Sequence, residues 1–363
     1  MTQRCVSAAV LLLASIQLAF AQTPAASAPP DYANNPKFIK ALHEGEQFLQ
    51  QHRADFARDD FNKANKIAGG ACAECLQDIY DANLAEHDYK AAITTTERLS
   101  ELAKTPTDKA LAEYERGAAL FFKGGDKPKP DQLQAAHEAL RQALSDYPRY
   151  AAALYLDGQV LAHMGRMDEA KASFIECVSC ARPADPARLR AEHFAEDPSL
   201  SLKRMAPAFA VTALDGSQFN LDAMGGRVVL IDFWATWCGP CNEELPHMKK
   251  IAKEFAGEPL VILSVSWDND DAKWRQFIQK NEMTWMQYRD ADKSLTNEFG
   301  VQAIPHYFTI DTDGVLTSEM MGEGSDVEGR LKKLLAKARE AEKESDKGRL
   351  AAPPSGSGST GGS

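Results

Sequence analysis

An apolar run, RVVLIDFWA, leads almost directly into the segment WCGPC, in which Gly239 and Pro240 separate Cys238 from Cys241. The run is typical of a buried strand. Pro240 suits the first turn of a helix, where its missing N–H is not needed. The sequence therefore predicts Cys238 at a helix start, where unpaired N–H groups and a partial positive charge favour an anion. We expect the pKa of Cys238 to lie below the value of about 8.5 for free cysteine, which favours the thiolate that attacks disulfides.

Cys241 follows one helical turn later, close enough to attack a mixed disulfide formed at Cys238 and release the product. A structural zinc site is the main rival interpretation of a C-x-x-C pair. Zinc would require two further ligands, and no second pair has the spacing of a zinc ribbon. Covalent haem attachment is excluded because Asn242, and not histidine, follows Cys241. The motif therefore predicts thiol–disulfide exchange without a metal.

The rest of the C-terminal half alternates between two kinds of pattern. PLVILSVSW is a second β-rich apolar run, and HYFTID and VLTSEMM flank a predicted turn at Asp313-Gly314. Helical stretches lie between these runs, so the mixture indicates a sheet with helices on both faces. A charged last helix is expected over 327–347. The final residues, 348–363, are of low complexity and are expected to be disordered.

The segments VVLIDFWATWCGPC and GVQAIPHYFTIDTDG together resemble the thioredoxin superfamily. The opening APAFAVTALDGSQFNLDAMGGRVVLIDFWATWC is similar to its exported TlpA/ResA-like branch. The match runs from about Met205 to Gly324. It implies an α/β thioredoxin-like domain over 203–347, with Cys238 exposed and attacking and Cys241 buried and resolving.

The resemblance also implies roles for residues around the cysteine pair. Trp237 would flank the nucleophile and form part of a substrate-binding surface with Gly239, Pro240 and Ile304. Pro305 matches the family's cis-proline, which lies against the active-site cysteines and leaves backbone groups free to pair with a substrate strand. Because cis X–Pro is a minority state, the fold would have to hold it. A trans proline in a loop is the alternative.

Two acidic residues compete for the role of proton shuttle. Asp232 occupies the place of the buried acid of thioredoxins, and burial would raise its pKa and let it exchange a proton with Cys241. Glu244 lies three residues beyond Cys241, at the position of the active-site acid in the exported branch, and shares a helix face with Cys241. Glu244 could instead be a solvated surface residue. His306 could lie near Cys238 and stabilise its thiolate when protonated, or it could be a surface histidine without a role.

A peroxidase is a further alternative, because peroxiredoxins share the strand order. Their catalytic cysteine has threonine or serine three residues earlier, where this chain has Ala235. The Gly-Pro dipeptide resembles that of the reducing thioredoxins. The resemblance therefore favours a protein-disulfide reductase whose redox group is its own Cys238–Cys241 disulfide, with no other cofactor.

The N-terminal half is helical and repetitive over 37–198. The clearest copy is ALYLDGQVLAHMGRMDEAKASF, and later copies recur about every 34 residues, which resembles the tetratricopeptide repeat. Small residues would let paired helices approach closely, and each pair would bury its apolar face on the next. A generic helical bundle is the alternative. The predicted fold is an α-helical repeat (tetratricopeptide-like) domain followed by an α/β thioredoxin-like domain.

Two further C-x-x-C pairs lie in the helical half. Cys72 and Cys75 are predicted at a helix start, and Cys177 and Cys180 at a helix end. Each pair could close on itself, or the pairs could bridge each other, relay electrons, bind metal or remain buried thiols. Structural disulfides are favoured over a relay or a metal site.

The N-terminus is typical of an export signal over residues 1–21. Arg4 precedes the mostly apolar stretch from Ala8 to Phe20, and Ala19-Phe20-Ala21 resembles a cleavage site. The stretch is short for a membrane anchor. An Ala-, Pro- and Ser-rich linker over 22–36 follows. Cleavage would leave six cysteines, an even number that suits an oxidising compartment such as a periplasm, and no later segment is apolar enough to span a bilayer.

A formal net charge of −11 argues against nucleic acid or an anionic membrane as partner. We therefore predict an enzyme that reduces or rearranges protein disulfides, is recharged by a membrane or soluble electron donor, and recruits a client or partner through its repeats. One alternative is a repeat-based binding protein or chaperone with secondary redox activity. Another, which the resemblance suggests, is a dedicated reductant in cytochrome c maturation or copper-site assembly.

Overall fold

The computed structural model describes residues 31–51, 53–125, 127–182 and 186–351. The predicted signal peptide and most of the predicted linker lie outside these residues. The chain divides between Lys203 and Arg204 into two compact units, here called the N-terminal unit and the C-terminal unit. In the part of the chain that is described, no helix is both long enough and apolar enough to cross a membrane.

The N-terminal unit is built from α-helices in which each helix packs against the next. Short 3-10 helices at Asp31–Asn34 and Pro198–Leu202 flank the α-helices. The α-helices are α1 (Pro36–Gln50), α2 (Ala54–Ile67), α3 (Ala73–Ala85), α4 (Tyr89–Leu102), α5 (Pro106–Lys123), α6 (Pro130–Asp146), α7 (Ala151–His163), α8 (Met167–Cys180) and α9 (Pro186–Glu196).

Glycines mark the crossing points within three of the helix pairs. A Cβ atom on Gly45 would lie 2.6 Å from the Phe61 ring, and one on Gly158 would lie 2.6 Å from the Phe174 ring. At the third crossing, a Cβ on Gly117 would lie 2.7 Å from Leu140. These distances are too short for a real Cβ, so glycine is what lets each pair pack closely. The recurring contact agrees with a helical repeat, and its assignment to the tetratricopeptide type stays a prediction.

The two extra cysteine pairs differ in the structure. Cys72 is the N-cap of α3 and forms a disulfide with Cys75. No disulfide joins Cys177, which is buried, to Cys180, which is partly exposed, so the disulfide favoured from the sequence for this pair is wrong. Both of these cysteines lie inside α8, where side chains three residues apart have Cβ atoms about 5–6 Å apart. A disulfide needs a separation of about 3.5–4.5 Å, which the extended backbone of an N-cap such as Cys72 allows.

The C-terminal unit contains a five-stranded sheet in the order β5-β4-β3-β6-β7. Strands β3, β4 and β5 are parallel, β6 is antiparallel to β3, and β7 is antiparallel to β6. A separate two-stranded sheet pairs β1 with β2. The elements are β1 (Ala210–Thr212), β2 (Gln218–Asn220), β3 (Val228–Trp234), α10 (Gly239–Glu254), β4 (Leu260–Ser266), α11 (Asp271–Lys280), β5 (Met286–Arg289), α12 (Ser294–Glu298), β6 (His306–Ile310), β7 (Leu316–Met321) and α13 (Val327–Ala351).

Every residue of β3 is buried, which explains why all of them except Asp232 are apolar. Alternate residues enter two different cores, one that includes Phe233 and Phe308 and another that includes Leu230 and Tyr307. The predicted turn before β7 is present, with Gly314 at a φ of 82°. The α/β architecture predicted from the sequence is confirmed.

The last helix is longer than predicted. Helix α13 continues to Ala351, whereas the sequence places its end at about 347. The first proline after the helix is Pro353, and the residues before it contain nothing that obliges a helix to stop. The predicted disordered tail therefore begins too early, and residues 352–363 lie outside the described part of the chain.

Candidate active site

Cys238 lies between the end of β3 and the start of α10. It is the N-cap of α10 and has an extended backbone, with Gly239 and Pro240 forming the first turn. The backbone N–H of Cys241 donates a hydrogen bond to Cys238 Sγ over 3.2 Å. The N-terminal end of the helix thus directs an N–H group at this sulfur, which is the environment that stabilises a thiolate.

The structure contains the pair in its oxidised form, as a Cys238–Cys241 disulfide. The two residues are 6% and 7% exposed, so Cys238 is nearly as buried as Cys241. This differs from the exposed Cys238 that the resemblance implies. The reason is local, because Cys238 Sγ is bonded to Cys241 and lies 3.8 Å from the carbonyl oxygen of Ile304. Trp237, by contrast, is 64% exposed beside the pair.

The segment of Ile304 and Pro305 approaches the cysteine pair from the start of β6. The peptide bond between these two residues is cis, as the resemblance implies. The carbonyl of Pro305 accepts a hydrogen bond from Gly322 N–H, at the end of β7. Trp237, Cys238, Ile304 and Pro305 therefore lie at the same end of the sheet.

Asp232 is buried on the central strand β3, two residues before the strand ends at Trp234. In the sheet register it lies opposite Ser264 of β4 and Tyr307 of β6. Ser264 Oγ donates a hydrogen bond to Asp232 Oδ2 over 2.9 Å, and Trp285 Nε1 donates to Ser264 Oγ over 2.8 Å. Burial raises the pKa of Asp232 to about 7, the Ser264 hydrogen bond opposes this, and the charge of Glu244 adds to it. A carboxyl with such a pKa can take or return a proton near neutral pH.

A small cavity connects Asp232 with the cysteine pair. Asp232 and Cys241 both line it, and the other lining residues are Trp234, Leu245, Met248, Met283, Trp285 and Tyr307. Asp232 and Cys241 therefore border the same small space. The described lining does not include Glu244.

Glu244 lies on the same buried face of α10 as Cys241, but its hydrogen bonds go to residues outside the cavity lining. Its Oε1 accepts the Gly324 N–H over 2.8 Å, and its Oε2 lies 3.1 Å from Nδ1 of His247. Gly324 belongs to the loop that precedes α13, so Glu244 ties α10 to this loop. It is neither the solvated surface residue that the sequence left open nor a direct neighbour of the cavity, although its charge reaches Asp232.

His306 is buried and does not lie at the protein surface. Its Nε2 lies 3.2 Å from Glu319 Oε1, and its ring stacks on Phe308 with 4.8 Å between centroids. Burial lowers the pKa of His306, with Glu319 acting in the opposite direction. The surface histidine considered from the sequence is therefore wrong.

Sequence reasoning did not find several residues that shape the site. Ser264, Trp285 and Tyr307 surround Asp232, and no local motif marks them. Asp268 was also missed: its carboxylate accepts hydrogen bonds from the backbone N–H and the hydroxyl of Thr236, and so holds the loop that leads to Cys238. Ser264 and Tyr307 lie on the strands next to β3, while Trp285 precedes β5 and Asp268 follows β4, so only a known strand register could have indicated these partners.

Comparisons with known proteins match the C-terminal part of the chain. The family described as Redoxin matches residues 202–335. The thiol-disulfide oxidoreductase ResA of Bacillus thuringiensis (strain Al Hakam) is 29% identical over 143 residues, which are 39% of this chain and 83% of that protein. The thioredoxin-like protein YneN of Bacillus subtilis (strain 168) is 30% identical over 122 residues, which are 33% of this chain and 71% of that protein.

A solved thiol-disulfide oxidoreductase from Bacteroides fragilis NCTC 9343 is also similar. It is 25% identical, with a TM-score of 0.34, and the match covers 36% of this chain and 99% of that structure.

Proposed function

This chain belongs to the thioredoxin superfamily, in its TlpA/ResA-like branch, and from that premise we propose that it is an exported protein-disulfide reductase. Its C-terminal unit would perform the exchange through Cys238 and Cys241, and its helical N-terminal unit would recruit the client. The observation that carries the proposal is the N-cap position of Cys238, whose sulfur accepts the Cys241 N–H. That position favours ionisation of the attacking sulfur.

The proposed reaction begins with the reduced pair. The Cys238 thiolate attacks one sulfur of a client disulfide, forms a mixed disulfide, and displaces the other client sulfur as a thiolate. Cys241 then attacks Cys238 Sγ, which releases the second client sulfur and leaves the Cys238–Cys241 disulfide. Two electrons pass from the enzyme to the client. A membrane or soluble dithiol donor must reduce the pair again before the next cycle.

Asp232 is proposed to handle the proton of the resolving step. Cys241 must lose its proton to become a nucleophile, and Asp232 lines the same cavity. The Asp232 carboxylate would accept that proton and later return it to the released client thiolate. Its pKa of about 7 suits transfer in both directions at neutral pH.

Substrate binding is proposed to use the surface around Trp237. The exposed indole, the Gly239-Pro240 turn and the backbone at Ile304 and Pro305 surround the reactive sulfur. An extended client segment could pack on Trp237 while its disulfide reaches Cys238. This arrangement suits a protein substrate, because a flat exposed ring offers contact area without a deep pocket.

The proposal is tested with reduced full-length protein and insulin as substrate. We expect the wild type to reduce insulin disulfides and Cys238→Ser to be inactive. Cys241→Ala should instead accumulate a mixed disulfide with the client, which mass spectrometry would detect at Cys238. Insulin reduction that survives Cys238→Ser would overturn the proposal.

A further inference from the structure

The Cys72–Cys75 disulfide of the N-terminal unit has the same local arrangement as the Cys238–Cys241 disulfide. In both pairs the first cysteine is the N-cap of an α-helix and has an extended backbone. The Cys75 N–H donates a hydrogen bond to Cys72 Sγ over 3.1 Å, and the Cys241 N–H donates to Cys238 Sγ over 3.2 Å. The N-terminal end of a helix therefore directs an N–H group at the first sulfur of each pair, and this environment favours a thiolate when the bond is open.

The surroundings of the two pairs are also alike. Cys72 and Cys75 are 2% and 0% exposed, close to the 6% and 7% of Cys238 and Cys241. Each pair belongs to a cluster of buried apolar side chains. Burial of this degree therefore does not separate a structural disulfide from a reactive one in this chain.

The chain around Cys72 leaves room for an incoming sulfur. Ala71 and Ala73, on either side of Cys72, are exposed and have small side chains. Gly69 is exposed as well, and a Cβ atom added to it would meet no other atom within 4 Å. An attacking thiol would thus approach the Cys72 end of the bridge past small residues, whereas Cys75 is completely buried.

A structural role explains the Cys72–Cys75 bridge poorly. The two residues are only three apart in the chain, and a disulfide that closes so short a loop restricts the unfolded chain least. The same unit keeps Cys177 and Cys180 unbridged at identical spacing. As thiols, Cys72 and Cys75 would still suit the apolar cluster around them, because reduced cysteine packs as a small apolar residue. We therefore expect the unit to keep its fold whether the bridge is closed or open.

We propose that Cys72 and Cys75 form a second thiol–disulfide exchange site, which takes two electrons from a dithiol and passes them to a disulfide. One thiolate of the dithiol attacks Cys72 Sγ, the Cys72–Cys75 bond breaks, and Cys75 leaves as a thiolate that takes up a proton. The other sulfur of the dithiol then attacks its own partner in the mixed disulfide. This step releases Cys72 as a thiolate and leaves the dithiol oxidised. The inference goes beyond the proposed function, because this site lies in the helical unit and does not require Cys238.

The test uses the full-length double variant Cys238→Ser, Cys241→Ser. Free thiols are blocked with N-ethylmaleimide, dithiothreitol is added without denaturant, and new thiols are labelled with heavy N-ethylmaleimide and located by mass spectrometry. We expect heavy label on Cys72 and Cys75, at a rate within about tenfold of that for Cys238–Cys241 in the wild type. Oxidised glutathione added after the dithiothreitol is removed should close the pair again. Heavy label that appears only in urea, after unfolding, would overturn the proposal.

Two single-thiol variants in the same background form a matched pair. Cys75→Ser keeps the thiol at the helix start, and Cys72→Ser keeps the thiol one turn into the helix. At pH 7, iodoacetamide should modify Cys72 at least about tenfold faster than Cys75, and the pH midpoint for Cys72 should lie below about 8.5. Equal rates, or a Cys72 midpoint of about 8.5 or higher, would overturn the proposal. Circular dichroism checks that both variants are folded, and the dithiothreitol test decides if either is not.

Insulin reduction by the wild type is measured in parallel and reports on the proposed function. If the wild type reduces insulin but Cys72–Cys75 opens only in urea, the second exchange site is overturned alone. If Cys72–Cys75 opens in the folded protein but the wild type does not reduce insulin, the second exchange site is supported and the reductase is overturned.

Discussion

The hydroxyl of Ser264 donates a hydrogen bond to the carboxylate of Asp232, with 2.9 Å between Oγ and Oδ2. The two residues face each other across the β3–β4 pairing. Because Trp285 Nε1 donates to the same hydroxyl oxygen, the Ser264 proton is directed at Asp232. This chain of two hydrogen bonds stabilises the charged carboxylate and opposes the effect of burial.

Replacing Ser264 with alanine should raise the pKa of Asp232 above its value of about 7. The variant loses a hydrogen bond that favours the charged form, and we expect a shift of about one pH unit. The pH dependence of kcat/KM for insulin reduction should move upward by that amount. Ser266→Ala is the matched control, because Ser266 is equally buried but donates to Asp268. If the midpoint of the pH profile of kcat/KM is unchanged or lower in Ser264→Ala, Ser264 does not stabilise the charged form of Asp232.

Glu244→Gln should move the midpoint of the pH profile of insulin reduction to lower pH. The negative charge of Glu244 raises the pKa of Asp232, so a neutral amide should lower it. The glutamine keeps an oxygen that can accept the Gly324 N–H, and the loop before α13 should therefore stay in place. The pH profile of insulin reduction checks the direction. A large loss of rate at every pH, without a shift, would instead indicate a direct proton shuttle at Glu244.

Asp232→Asn should stabilise the oxidised protein against unfolding at alkaline pH and should slow the reduction of insulin. Folding raises the pKa of Asp232 from 3.8 to about 7. Above about pH 4 the carboxyl ionises more readily in the unfolded chain, so it lowers the free energy of unfolding. This loss of stability is complete above about pH 7. The gain on substitution should be at most roughly 4 kcal/mol at pH 8 and should shrink towards pH 4. Urea unfolding at several pH values measures it.

The exposed variant Asp313→Asn is the control for that measurement and should show no such dependence on pH. For Asp232→Asn, the rate of insulin reduction at pH 7 should fall about tenfold or more, because the resolving step loses its proton acceptor. Stability that is equal to the wild type at pH 8 would be inconsistent with the raised pKa.

Trp237→Ala should weaken client binding without disturbing the fold. The side chain is 64% exposed, so its loss should change the free energy of unfolding by no more than about 0.5 kcal/mol. We expect KM for insulin to rise while kcat changes little, because the sulfur chemistry does not use the indole. Leu202→Ala, which also removes an exposed apolar side chain, should leave KM unchanged. A fall in kcat at constant KM would argue against a docking role.

Gly158→Ala should destabilise the N-terminal unit. The added methyl would lie 2.6 Å from the Phe174 ring, and relieving this overlap should cost about 1–3 kcal/mol. The helical circular dichroism signal of the full chain should melt at a lower temperature. Gly225→Ala is the control, since its Cβ would meet no atom within 4 Å. An unchanged melting temperature in Gly158→Ala would mean that the helix pair can separate without cost.

Residues whose environment depends on their near neighbours were predicted well. The apolar run before Cys238, the proline after it and the Asp313-Gly314 turn each specify a local conformation, and the structure has all three. The family resemblance supplied the cis bond at Pro305, which no local pattern specifies. The C-x-x-C pairs show where local reasoning ends, because identical spacing produced a disulfide at Cys72 and none at Cys177.

The sequence by itself determined the two kinds of fold and the position of Cys238 at a helix start, because helix starts, strand runs and turns are set by residues adjacent in the chain. Only the tertiary structure decided which acid lies beside Cys241. Asp232 meets its partners Ser264, Trp285 and Tyr307 through strand pairing across distant parts of the chain. Glu244, one turn from Cys241, accepts a hydrogen bond from the Gly324 N–H instead. Strand register and packing bring such residues into contact, and their spacing along the chain does not predict these contacts.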